Sequence, residues 1–373
     1  MSGLDAMRED DERWMAAALR FGRRNFGLTA PNPCVAALIV CDGVVVGRGV
    51  TVPGGRPHAE VVALAEAGEA ARGATMYVTL EPCSHTGVTP PCADAIVAAG
   101  IARLVCALGD PDARVAGRGL ARLREAGIAV AVGVGEAQAR RDHRGHILRV
   151  TVGRPMVTLK LALTADGYAA GDEHDARLAI TGEAANGAVQ VMRSLHDAIM
   201  IGVGTARDDD PLLTVRLPGV AQKPLRVILD SRLELPLASR LMATARQFPT
   251  LVVATAAAPA AREAALAAKG VETARVEADP AGGVDLGAAL RLIGKRGVTR
   301  VFSEGGPRVA SRLIALGLVD EAALFTAVKP LGRPGRPALD AAAHAALVDL
   351  AQYRALEPET YGTDTLRRWE RVG

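Results

Sequence analysis

Short apolar runs alternate with amphipathic helical stretches along this chain, and the alternation occurs twice, on either side of Gly153-Arg154-Pro155. Apolar strands need cover on both faces, and intervening helices supply it, so the pattern demands layered α/β folds. In the first series, residues 11–27 read as a helix with Trp14, Ala17, Ala18 and Phe21 at helical spacing. Apolar runs at 35–40 and 44–46 flank Asp42-Gly43, a hairpin signal. Helices are expected over 60–71, 92–99 and 119–126, with strands over 75–80, 104–108 and 128–134. A charged helical stretch, 136–152, leads into the linker. The second series opens with a strand from Met156, and 194–203 runs from helix into strand. Further strands are expected at 225–230, 250–255 and 300–303, the last breaking at Gly305-Gly306-Pro307 into a helix over 308–315. The Ala-rich stretch 254–268 reads as a loop and surface helix. The expected domains are 1–150 and 154–373, in keeping with a chain of 373 residues.

Charge excludes little but supports no polyanion surface. Lys+Arg number 44 against 41 Asp+Glu, and residues 1–150 hold 17 Arg and no Lys against 16 acids. Aromatics make up 3 %, too few for a groove that stacks bases, so nucleic acid is not the expected partner. No run of 18 apolar residues predicts a membrane span. The polar, acidic start MSGLDAMREDDERW lacks the form of a secretory signal, which makes the expected location cytoplasmic. Five cysteines in a chain of this length do not build a disulfide framework. Cys34, Cys41 and Cys106 are expected to be buried structural thiols.

The other two cysteines fall into a pattern. His58-Ala59-Glu60 opens a helix, Glu81-Pro82-Cys83 follows a strand, and Cys92 opens another helix after Pro90-Pro91. One imidazole and two thiolates suit zinc and leave a fourth position for water. A helix N-terminus favours an ionised thiol, here Cys92. Glu60, two residues past His58, is placed as a proton shuttle rather than a ligand. A closed structural site would need a fourth side chain, for which His85 is the candidate. The motif matches zinc deaminases in outline, but nine positions rather than three separate Cys83 from Cys92.

With PNPCVAALIV, GGRPHAE, TLEPCSHTGVTPPC and DPDARVAGRG in that order, the first half resembles the deaminase part of the bifunctional riboflavin-biosynthesis deaminase/reductase family. The resemblance implies a cytidine-deaminase-like α/β/α sandwich, zinc on His58, Cys83 and Cys92, Glu60 as catalytic shuttle, and substrate contacts from Asn32 and Asp110. An alternative for Asn32 is turn chemistry between two prolines. The family usually has Lys or Arg where this chain has Val88, and often His where it has Thr51; Arg56 is a possible replacement for the charge.

From Pro155 the resemblance continues through MVTLKLALTADG, AITGEAANGAVQVMRSLHDAIMIGVGTARDDDPLLTVR, VILDSRLELP and VFSEGGPRVASRLIALGLVDEAALFTAVKPLG. It implies a dihydrofolate-reductase-like α/β domain that uses NADPH. Ala162, Thr205, Asp209, Ser231 and the stretch from Gly306 are then cofactor contacts. Arg193, Leu213, Arg216 and Glu304 are substrate contacts, and arginine forks suit a ribose phosphate. Lys160, a charge within an apolar strand, joins the same site. Read alone, Arg193 is an ordinary exposed helix residue and Arg216 a rim charge. The family's Trp is Ala179 here, and its small polar residue two positions earlier is Arg177.

The expected function is therefore bifunctional. Zinc-dependent deamination of a phosphorylated diaminopyrimidinone ribosylamine precedes NADPH-dependent reduction of the ribosyl group to ribityl. A homodimer or tetramer is expected from the same resemblance. The rival readings are a working reductase with the first domain reduced to a structural zinc module, a nucleic-acid deaminase, and a non-enzymatic zinc module.

Overall fold

The computed structural model describes residues 3–86, 90–112, 116–172, 175 and 178–372, with side chains from residue 7. The chain divides into two compact units, Met1–Gly153 and Arg154–Gly373.

The first unit runs α1 (Gly3–Gly22), β1 (Ala36–Cys41), β2 (Val44–Val50), α2 (Ala59–Ala67), β3 (Thr75–Val78), α3 (Cys92–Ala98), β4 (Arg103–Cys106), α4 (Arg118–Glu125), β5 (Ala129–Val132), α5 (Glu136–Asp142) and α6 (Arg144–Thr151). Its sheet has the order β2-β1-β3-β4-β5. The β1 pairs with β2 and β3 are antiparallel, whereas β3–β4 and β4–β5 are parallel. Asp42 and Gly43 take φ of 48° and 73°, the left-handed pair that a two-residue hairpin requires. Five successive residues of β1 are buried, so helices cover both of its faces. Helices α1 and α5 contact each other, while α2 contacts β1, β2 and α3.

Helix α1 begins well before residue 11 and stops at Gly22. Its acidic stretch is not all solvated. Asp11 is buried and takes a two-pronged bond from Arg103, at 2.7 and 2.6 Å, with the Tyr77 hydroxyl at 3.0 Å. Helix α2 is held close to the sheet by glycines on alternate positions of β2. A Cβ built at Gly49 would lie 2.0 Å from the Ala59 carbonyl oxygen, and one at Gly47 2.3 Å from that of Ala63. Only hydrogen fits there, so β2 sets the height at which α2 begins. Cys106 is buried as expected, but Cys34 and Cys41 are only half-buried. The Cys34 thiol donates to the Gly22 carbonyl at the edge of the fold, 3.0 Å away.

The second unit contains β6 (Met156–Leu163), β7 (Tyr168–Ala170), α7 (Glu183–Ser194), β8 (Ala198–Gly202), α8 (Val203–Asp209), β9 (Leu225–Leu229), α9 (Arg240–Ala243), β10 (Thr250–Ala254), α10 (Ala260–Ala268) and β11 (Glu272–Arg275). It continues with α11 (Leu286–Lys295), β12 (Arg300–Ser303), α12 (Pro307–Ala315), β13 (Glu321–Thr326), β14 (Arg336–Pro337), α13 (Ala341–Val348), β15 (Tyr353–Ala355), β16 (Glu359–Tyr361) and β17 (Asp364–Arg371). The main sheet has the order β11-β10-β9-β8-β12-β6-β13-β17-β15, with β16 also on β17. It is parallel from β11 to β13 and antiparallel beyond. Residues after 336, for which the sequence pattern offers no reading, thus build the antiparallel edge. The unit opens on a buried ion pair: Arg154 grips Asp320 at 2.7 and 2.9 Å, and Asp320 also accepts the Val157 N–H. Among the described residues, no helix is long and apolar enough to cross a membrane.

Candidate active sites

In the first unit, His58 is the extended residue that caps α2, and Glu60 lies buried in that helix's first turn. Cys83 sits in the loop after β3, and Cys92 is the first residue of α3. The His58 Nδ1 atom is 3.3 Å from Cys92 Sγ and 3.7 Å from Cys83 Sγ, and the three donor atoms lie within 4.8 Å of one another. Bonds of ~2.0–2.3 Å to a tetrahedral zinc place neighbouring ligand atoms roughly 3.5 Å apart, so the spacing and the soft donor set both fit that ion. His85 is exposed and is not part of this group among the described residues.

The amide at the start of α3, that of Cys92, donates to Cys83 Sγ at 3.3 Å. The Cys83 thiol is pulled down to about 4, first by its bond with the Cys92 side chain. The same pairing, with burial, pushes Cys92 up. The helix dipole thus serves the neighbouring sulfur. The hydrogen bond to Cys83 raises His58 above the ordinary imidazole range, against burial and, more weakly, the Arg56 charge. Burial lifts the Glu60 carboxyl to about 7, so it exchanges a proton near neutrality.

Asn32 stands between Pro31 and Pro33, and its Nδ2 donates to the Gly55 carbonyl at 2.7 Å. One amide hydrogen is therefore committed to the loop that leads to His58. Arg149 of α6 donates to the Pro31 carbonyl, 2.9 Å away. Thr51 is buried, and its hydroxyl accepts the Val35 N–H at 3.0 Å, so this position braces the strand that follows the Asn32 turn. Burial raises the Asp110 carboxyl. Val88 and Arg177 lie outside the described residues, and Ala179 is exposed ahead of α7.

In the second unit, Arg193, in the last turn of α7, is 7 % exposed. It is therefore no ordinary surface residue. Its Nε and Nη2 bond to Glu304 at 2.5 and 2.9 Å, and its Nη1 holds the Thr214 carbonyl at 3.0 Å. Burial works to raise the Glu304 carboxyl, but the charges of Arg193, Lys160 and Arg216 outweigh it and hold it below the usual range. Three cations thus share one carboxylate. Leu213, buried with φ of 50°, precedes Thr214, and the Arg216 N–H donates to Gln190 Oε1 at 2.9 Å. The sequence gives no sign of Gln190, because its role depends on which helix face meets a distant loop.

Lys160 and Ala162 share one face of β6. Gly306 caps α12, and its N–H donates to Thr205 Oγ1 at 3.0 Å. A Cβ at Gly306 would stand 3.1 Å from that oxygen. The hydroxyl accepts from Gly306 and keeps its own proton to donate, and the next amides of α12 open the helix. That donor set fits the phosphates of a nicotinamide dinucleotide. Ser231 follows β9 and so stands beyond the carboxyl end of a parallel strand, where such sheets bind ligands, while Asp209 is the last residue of α8.

Comparison with known proteins agrees with both halves. Residues 8–108 match the cytidine and deoxycytidylate deaminase zinc-binding region, and residues 155–366 match the RibD C-terminal domain. The riboflavin biosynthesis protein RibD of Aquifex aeolicus is 39 % identical over 326 residues, covering 87 % of this chain and 89 % of that protein. Its Escherichia coli counterpart is 38 % identical over 368 residues, with 95 % and 97 % coverage. The crystal structure of a diaminohydroxyphosphoribosylaminopyrimidine deaminase/5-amino-6-(5-phosphoribosylamino)uracil reductase from Thermotoga maritima superposes with a TM-score of 0.83 at 31 % identity, covering 98 % of this chain and all of that one. The architecture is a cytidine-deaminase-like domain followed by a dihydrofolate-reductase-like one. This chain belongs to the RibD family, the bifunctional deaminase/reductases of riboflavin biosynthesis.

Proposed function

We propose that the domain of residues 1–150 deaminates 2,5-diamino-6-hydroxy-4-(5-phosphoribosylamino)pyrimidine by hydrolysis, and that residues 154–373 then reduce the ribosyl group to ribityl with NADPH. The observation that carries the first step is the buried Glu60 beside the three-donor cluster of His58, Cys83 and Cys92. Zinc held by those three side chains would supply Lewis acidity toward the water that replaces the amino group. Glu60, poised near neutrality by burial, passes one proton of that water to the ring and then the second, from the added hydroxyl, to the amino group that departs as ammonia. Asn32 and Asp110 orient the pyrimidine.

In the second step NADPH would supply hydride to the sugar's C1. The chain's part is positioning. Thr205, Gly306, Asp209, Ser231 and Ala162 hold the cofactor. Lys160, Arg193 and Arg216 bring three cations to one carboxylate, Glu304, and the surplus positive charge attracts the sugar phosphate while Leu213 packs against the substrate. We place the enzyme in the cytoplasm as a homodimer or tetramer.

The test separates the two activities. Zinc-loaded protein given the diaminopyrimidinone without NADPH should release ammonia, and Glu60→Gln should not. Given the deaminated substrate, both proteins should oxidise NADPH. Absence of ammonia release from the unaltered protein, with reduction intact, would leave a reductase carrying a structural zinc domain.

A further inference from the structure

Glu81, the acid of the Glu-Pro-Cys motif, does no chemistry in the mechanism above, yet its carboxylate is buried and fully engaged. Oε2 accepts the N–H groups of Asp110 and Gly117, at 3.1 and 2.9 Å. Oε1 accepts those of Gly119 and Leu120, at 2.9 and 3.4 Å. All four donors are backbone amides from a segment that begins 29 residues further along the chain. None is a side chain, so the carboxylate recognises the path of that segment and not its sequence. Only Pro82 separates Glu81 from Cys83. The carboxylate thereby joins the loop that bears a zinc ligand to the loop that bears Asp110.

We propose that Glu81 is a positioning residue for the deaminase, holding Asp110 at a fixed distance from the metal-bearing loop. The inference rests on the reading that Asp110 contacts substrate. The physics favours a carboxylate here: four N–H groups converge, those of Gly119 and Leu120 are buried and would be left unpaired without an acceptor, and a carboxylate satisfies two with each oxygen. Asp110 in turn accepts the Asp112 N–H at 2.8 Å, so fixing its backbone also sets the direction of its carboxylate. A neutral amide at position 81 keeps one oxygen. Its NH2 group would face two further donors, releasing one pair of amides and with it one end of the loop.

A double-mutant cycle on the full-length, zinc-loaded enzyme tests this, with zinc content and reductase turnover followed alongside. Glu81→Gln should raise the deaminase KM about tenfold while kcat, zinc stoichiometry and reductase turnover stay within about twofold. Asp110→Ala should raise KM at least as much, and adding Glu81→Gln to it should cost nothing further, because both act through one contact. Additive effects of the two substitutions would overturn the proposal while leaving Asp110 as a substrate contact. No effect of Asp110→Ala would overturn the substrate reading and the proposal with it. Glu81→Asp, one methylene shorter but still charged, is the second variant and should fall between Gln and the unaltered enzyme. Loss of zinc, or of reductase turnover, in both position-81 variants would make Glu81 a folding residue and sink the idea.

Discussion

Arg193 and Glu304, 111 residues apart in the chain, meet as a two-pronged pair at 2.5 and 2.9 Å, with the arginine buried and the carboxylate largely so. The pair also reaches the loop after α8, because the third nitrogen of the guanidinium holds the Thr214 carbonyl. Removing Arg193 takes both hydrogen bonds from a largely buried carboxylate and leaves it only the charges of Lys160 and Arg216. Arg193→Ala should destabilise the second unit by about 3–5 kcal/mol, measured by denaturant unfolding. Arg193→Lys, which keeps the charge but not the fork, should raise the reductase KM for the phosphorylated pyrimidine about tenfold or more. Steady-state kinetics at saturating NADPH check the second point.

Metal removal should split the two activities cleanly. All three zinc donors lie in the first unit, and among the described residues no other group of His, Cys, Asp and Glu is spaced to hold a metal. Dialysis against a chelator should abolish ammonia release and leave NADPH oxidation on the deaminated substrate unchanged. Cys83→Ser should lower zinc content in the same preparation, read by atomic absorption.

The approach of α2 to β2 gives a steric prediction. Gly49→Ala puts a methyl 2.0 Å from the Ala59 carbonyl oxygen, next to His58 and Glu60. Helix α2 must lift, at a cost of about 1–3 kcal/mol. Deaminase turnover should fall more than stability alone explains, since the helix carries Glu60 and is capped by His58. Reductase turnover serves as the internal control.

Acid sensitivity has an identifiable source in the second unit. His196 is buried, with Nδ1 2.6 Å from the Met192 carbonyl and Nε2 2.9 Å from Thr158 Oγ1. Burial pulls it down to about 3. An unfolded histidine takes up a proton near ~6.5. Between those values the unfolded chain binds a proton that the folded one refuses, so stability declines as pH falls from about 6.5 toward 3, by up to ~1.4 kcal/mol per unit. Unfolding titrations across that range should show the slope, and His196→Gln should flatten it.

The zinc site was legible in the sequence because its signal is local. His58-Ala59-Glu60, Glu81-Pro82-Cys83 and Pro90-Pro91-Cys92 each sit at an element end, where residue type and spacing alone carry the chemistry. Strand and helix types followed from periodicity, with ends shifted by a few residues where capping or tertiary contacts decide them. Arg193 was legible only by resemblance, since an arginine on a helix looks solvated until Glu304 is brought to it. Asp11 carries no such signal at all, because its partners Arg103 and Tyr77 lie far along the chain. That the amide opening α3 faces the Cys83 sulfur is set by how the two loops meet, and no spacing encodes that.

The strand order of the second unit sets a schedule for its formation. Strand β6 is the first to leave the ribosome in that unit, yet both of its neighbours, β12 and β13, begin at Arg300 or later. It must wait for nearly the whole chain before it gains a partner. The first unit pairs β1 with β2 at once and β3 soon after, and its last strand ends at Val132. The deaminase half can therefore close its sheet while the reductase half is still being made, and a chain cut short before Arg300 carries a finished first unit tethered to a strand with no ladder to join.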